Sequence, residues 1–139
     1  MTQRPIHDLT TTPPLNPLPR EGKGLLLLVK RKDYNMQRKE IVSQISDAIK
    51  GVAPTATAIL YGSEARGEAR PDSDIDVLIL LDGDHIDLKR EMAVTDPLWQ
   101  IEWKTGIPIS PTVMLRSQWE QMPFKTPFYL NVVNEGKEI

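Results

Sequence analysis

Residues 74–81 read Asp-Ile-Asp-Val-Leu-Ile-Leu-Leu. The apolar run from Val77 to Leu81 is continuous, so this stretch predicts a strand covered on both faces rather than one with a wet side. Side chains two apart on a strand point to one face. Asp74 and Asp76 therefore share a face, and Ile75 and Val77 turn the other way, into a core. A buried strand that opens on two carboxylates restricts both the fold and the chemistry of the chain.

The neighbouring segments alternate in type. Ile41, Ile45 and Ile49 recur every four residues, with Val42 and Ala48 beside them. This is one apolar helical stripe, with Gly51 as its expected stop. Thr55 to Tyr61 reads as a strand, and Ser63 to Ala69 as a short helix directly after Gly62. Asp82-Gly83-Asp84 is a turn signal. Residues 85–105 read as helical, with Asp96 and Pro97 capping a second half. Trp99 and Trp103, four apart on that helix, are expected to make core contacts. Ile107 to Leu115 is a third strand, and Pro108 and Pro111 mark it as an edge or bulged one. Ser117-Gln118-Trp119-Glu120 fits a capping box, and residues 127–135 a last helix before Gly136. The order predicts a small mixed sheet flanked by helices, in the α/β (α+β) class.

A chain of 139 residues has room for one domain. Its net charge of -2 gives no basic field to recruit nucleic acid. With no cysteine, disulfide scaffolds and thiolate metal sites are excluded, and a reducing, cytoplasmic setting is expected. The run from Leu25 to Val29 is far shorter than the roughly 20 residues that cross a bilayer. Residues 1–35 differ from the rest. They hold five of the twelve prolines and six Lys or Arg against three Asp or Glu. Such a composition predicts a disordered, Pro-rich tail. The text "PPLNPLPREGKG" resembles translated intergenic repeat upstream of bacterial genes, which makes Met36 the expected start. The folded domain is expected over residues 36–139.

The chemistry concentrates in "YGSEARGEARPDSDIDVLIL", residues 61–80. Asp74 and Asp76 repel one another unless a cation lies between them. A hard ion such as magnesium suits that pair, with phosphate oxygens completing its shell. Upstream, Gly62 lets an anion approach the backbone, and Ser63 adds a hydroxyl. Arg66 and Arg70 can supplement phosphate contacts. Taken singly these features are ordinary. An Asp-x-Asp pair is common, a Gly-Ser pair before a helix is more often a cap, and arginines four apart can be a solvated face. His85, next to Asp84, reads as a surface or capping residue. The combination is specific: ten residues separate Ser63 from Asp74.

That combination resembles the signature of the nucleotidyltransferase superfamily of the DNA polymerase β type. It is most similar to the minimal nucleotidyltransferases of bacteria and archaea, several of which are encoded beside a HEPN-domain toxin as its antitoxin. The resemblance spans about residues 36–139 and implies a nucleotidyltransferase fold. It implies that Ser63 helps to hold the nucleotide phosphates and that Asp74 and Asp76 ligate magnesium. A nucleoside monophosphate would pass from a triphosphate such as ATP to a hydroxyl of a protein or small molecule. It also implies a HEPN-type partner. Active members place a third carboxylate on the next strand. Here that strand reads "IPISPTVMLR", with Ser110 and Thr112 at the matching positions. Glu102 on the preceding helix is the remaining candidate. Two readings follow: a transferase, or a non-catalytic nucleotide- or protein-binding antitoxin. Aminoglycoside adenylyl transfer, a third reading, needs an additional substrate domain for which 104 residues from Met36 leave no room.

Overall fold

The computed structural model describes residues 37–139, so the expectations for residues 1–35 and for Met36 lie outside the described residues. The first helix, α1 (37–52), buries Ile41, Ile45 and Ile49 to 1% exposure or less. Burying each such side chain stabilises the fold by about 1.5–3 kcal/mol. Gly51 does not stop α1. The helix runs one residue further, and Ala53 N–H still reaches the Ile49 carbonyl at 2.8 Å.

Strand β1 (Thr57–Tyr61) leads into the one-and-a-half-turn helix α2 (Gly62–Arg66), and a loop then returns to β2 (Ile75–Leu81). Helix α3 (Leu88–Thr105) crosses to β3 (Ile109–Leu115). Helices α4 (Arg116–Glu120) and α5 (Pro127–Glu135) follow, then a two-residue strand, β4 (Lys137–Glu138). The sheet order is β3-β2-β1-β4, with β1 antiparallel to both neighbours and β2 parallel to β3. The mixed sheet flanked by helices matches the sequence expectation.

β2 lies between β1 and β3, and from Val77 onward its side chains are buried on both faces. Leu78 and Leu80 pack with Val132 of α5, and Ile59, Tyr61, Met114, Trp119 and Phe128 surround them. On the opposite face Ile75, Val77, Ile79 and Leu81 are equally buried, as are Val94 and Leu98 of α3. β3 is an edge strand, as its prolines predict. Pro111 therefore has a side without a ladder partner, where a missing N–H does no harm.

The structure corrects three further local expectations. α3 begins after Asp87, whose carboxylate accepts from Arg90 N–H at 2.8 Å, and it passes through Pro97 without a second start. A proline inside a helix removes one N–H, and the carbonyl it would have met belongs to the exposed Ala93, within reach of water. Trp99 and Trp103 are not core residues: they are 44% and 90% exposed. A four-residue spacing says that two side chains share a face but not which face turns inward, and Val94 and Leu98 have the same spacing. α4 starts at Arg116 rather than after Ser117. Gln118 Oε1 accepts from Leu115 N–H at 3.3 Å, doing the work expected of Glu120. α5 agrees with its predicted bounds, with Thr126 Oγ1 accepting from Tyr129 N–H at 3.1 Å.

Candidate functional site

Register brings the candidate residues together. Tyr61 pairs with Asp76 across β1 and β2, and Asp76 pairs with Ser110 across β2 and β3. Directly opposed residues share a face, so Tyr61, Asp76 and Ser110 line one end of one side of the sheet. Asp74 comes just before β2 and is exposed, whereas Asp76 is half-buried. Leu78, next along the same face and paired with Thr112, begins the covered part.

The turn after β1 is built around Gly62. Its φ of +76° lies in the left-handed region, which glycine adopts without strain. A Cβ there would also lie 2.5 Å from Asp76 Oδ2. The Asp76 carboxylate thus rests against a bare α-carbon, and the turn meets the start of β2 there. Ser63 follows, half-buried, within α2. Arg66, at the end of α2, donates to Glu68 at 2.8 Å and to Glu135 Oε1 at 3.0 Å. Gly62 N–H donates to the same Glu135 oxygen at 3.2 Å. Arg70 lies in the loop before Asp74, where its N–H donates to Ser73 Oγ at 2.8 Å and its carbonyl accepts from Ser73 N–H.

Like charges meet at this end, and Arg66 offsets them only in part. Partial burial raises the Asp76 pKa above its ordinary value, the Asp74 charge raises it further, and Arg66 opposes both. Tyr61 is also pushed up, chiefly by burial and then by Asp76, although its hydrogen bond with Thr112 works the other way. Ser110 Oγ donates to Asp74 Oδ2 at 3.1 Å. Two carboxylates and a hydroxyl make an all-oxygen donor set with surplus negative charge. That set fits a hard divalent cation which draws its other ligands from a phosphate or water.

A third carboxylate does not join them. Among the described residues no three His, Asp or Glu side chains are grouped to hold a metal. Glu102 Oε1 accepts from Ile109 N–H at 2.8 Å, so it anchors the start of β3 instead. His85 is exposed and lies beyond the far end of β2.

Sequence reasoning missed three contributors. Glu135 has no motif around it. Tyr61 reads as an ordinary strand residue. Arg38 looks like one of many surface charges, yet it is 2% exposed. Its Nε donates to Glu64 of α2 at 2.5 Å, and its Nη2 donates to the Ser73 carbonyl at 2.8 Å. It ties the glycine turn to the residue before Asp74. A long-range partner of this kind leaves no local signal.

Residues 38–126 match the nucleotidyltransferase domain family. The chain belongs to that family. The matched segment of this nucleotidyltransferase domain holds Gly62, Ser63, Asp74, Asp76 and Ser110, but not α5 or β4. A toxin–antitoxin structure crystallised with AMP-PNP is 18% identical, with a TM-score of 0.48 and 69% of each chain covered. A candidate nucleotidyltransferase from Sulfolobus solfataricus is 14% identical at a TM-score of 0.48, over 76% of this chain and 82% of that one. No curated protein matches the chain. No described helix is long and apolar enough to cross a membrane.

Proposed function

We propose that this domain transfers a nucleoside monophosphate from a magnesium-bound nucleoside triphosphate, ATP in the first instance, to a hydroxyl on a protein or small molecule. The observation that carries the reading is the Asp76 carboxylate, two residues from Asp74, set against the bare α-carbon of Gly62. Asp74 and Asp76 would hold the cation. Gly62 N–H, the Ser63 hydroxyl and the Arg66 and Arg70 guanidiniums would bind the phosphates. Bound there, a divalent cation neutralises phosphate oxygens and makes an acceptor hydroxyl more acidic.

The residues themselves do the positioning. Arg38 fixes the glycine turn relative to Asp74 through Glu64 and Ser73, so both halves of the site move as one unit. In the reaction the acceptor hydroxyl gives its proton to solvent and its oxygen bonds to the α-phosphorus, the bond from that phosphorus to the bridging oxygen breaks, and pyrophosphate leaves. A HEPN-type toxin is the proposed partner, an assignment that rests on the likeness of residues 61–80 to minimal nucleotidyltransferases encoded beside such proteins.

One observation favours a second reading. Ser110 faces Asp76 where active relatives of this type carry a carboxylate, and its hydroxyl is spent on Asp74. In that reading the domain binds nucleotide and partner without transfer. The deciding experiment incubates the full chain with magnesium and α-labelled ATP, alone and with the product of the neighbouring gene. The Asp74→Asn, Asp76→Asn double variant is the control. Label that appears on either protein, and is lost in the control, establishes transfer. Bound ATP with no label establishes the binding module.

A further inference from the structure

We infer that Glu135 occupies the phosphate position of the resting domain, so that nucleotide binds by displacing a carboxylate of the chain itself. The inference rests on the reading of Gly62 and Arg66 as phosphate donors. Both send hydrogen bonds to a single oxygen, Glu135 Oε1, at 3.2 Å and 3.0 Å. One backbone N–H and one guanidinium converging on one anionic oxygen is how such a turn would hold a non-bridging phosphate oxygen. The carboxylate matches that oxygen in charge and acceptor capacity, and here it is supplied from within the chain.

The position of Glu135 suits exchange. It is the last residue of α5, outside the segment that matches the family. Val132 and Phe128 anchor α5 in the apolar cluster, so the helix can stay docked while its terminal side chain swings away. That side chain is 21% exposed and has a path to water. Arg66 keeps Glu68 at 2.8 Å when Glu135 leaves, so no charge is stranded. Gly62 N–H is left to the incoming phosphate. Repulsion between a triphosphate and the carboxylate that it replaces drives Glu135 into solvent. Apparent affinity is reduced by the fraction of molecules in which Glu135 is in place.

Magnesium-ATP and magnesium-pyrophosphate titrations of the full chain, by calorimetry, test this. Glu135→Ala should bind both roughly two- to fivefold more tightly than wild type, the loss of one partly exposed competing ion pair. Glu135→Gln should fall between them, since its amide oxygen still accepts from Gly62 N–H but no longer attracts Arg66 as an anion. A loss of packing alone would weaken binding, so a gain separates the two effects. Glu135→Gln is near-isosteric and carries the test if Glu135→Ala melts early. Unchanged or weaker binding by both variants, with wild type binding normally, overturns the placeholder and leaves the phosphate reading standing. No binding by wild type or either variant overturns both.

Discussion

Strand β2 has an aspartate near each end, and the two ends are built on opposite terms. At the far end Asp82 Oδ1 accepts from Arg116 Nε at 2.8 Å. The same guanidinium also reaches Thr57 Oγ1 and the Thr55 carbonyl, while Arg90 donates to the Asp82 carbonyl. Arg116 and then Thr55 hold the Asp82 carboxyl below its usual range. At the near end Asp76 is pushed up by burial and by Asp74. The chain thus gives the Asp82 carboxylate a cationic partner, Arg116, and a hydrogen bond with Thr55. Six residues away Asp74 and Asp76 stand as like charges that Arg66 offsets in part, and Ser110 Oγ donates to Asp74. On the proposed function, a bound cation supplies the countercharge that this end lacks.

The largest expected effect removes that surplus. The Asp74→Asn, Asp76→Asn variant should lose magnesium-dependent ATP binding below detection in a calorimetric titration. Without magnesium its melting temperature should rise by about 2–5 °C, since a repulsive pair has gone. A fall in melting temperature would show that the two carboxylates stabilise the fold and that the contrast between the ends is false. The next effect separates backbone from contact. Gly62 and Gly67 both have left-handed φ, at +76° and +74°, but only Gly62 would place a Cβ against Asp76, whereas nothing lies within 4 Å of Gly67. Each Gly→Ala change should cost about 1–2 kcal/mol of left-handed strain. Gly62→Ala should lose at least about 1 kcal/mol more, because the Asp76 carboxylate must shift. Denaturant melts of the two variants give the difference, and equal losses would mean that the close approach is not real.

The sequence made the candidate site far more legible than the surfaces around it. The Gly62-Ser63 and Asp74-x-Asp76 elements are local, the period of two in β2 puts the two aspartates on one face, and the strand–turn–helix–strand order makes a meeting with the glycine turn an expectation, one the Gly62–Asp76 approach meets. The edge position of β3 followed from Pro108 and Pro111. Glu135 and Arg38 were illegible for a physical reason: each acts through a partner 26 to 73 residues away, and neither sits in a pattern that spacing could flag. Trp99 and Trp103 misled because helical spacing pairs residues without saying which side faces the core. β4 is two charged residues long and has no apolar alternation to announce it. Trp103→Ala makes a simple check on that lesson, since a side chain 90% exposed should change stability by no more than about 0.5 kcal/mol.

Finer tests exchange the character of the two ends. Ser110→Asp adds a third carboxylate opposite Asp76. Without magnesium it should lower the melting temperature by about 2–5 °C, and magnesium should restore it, as the ion neutralises the enlarged cluster. No response to magnesium would mean that the face cannot gather three ligands. The smallest effect lies at Asp82. The pairing with Arg116 lowers its folded pKa, so the stability it contributes is fully present above the unfolded carboxyl value. That contribution is lost as pH falls through the folded value. Wild type should therefore melt slightly above Asp82→Asn at neutral pH, and the two curves should converge in acid. Asp76, raised rather than lowered, has the opposite sign: its ionisation weakens the fold as pH rises. A wild-type advantage over Asp82→Asn that persisted undiminished in acid would show that the carboxylate acts through packing or neutral hydrogen bonds. The two ends would then differ in geometry alone, not in charge.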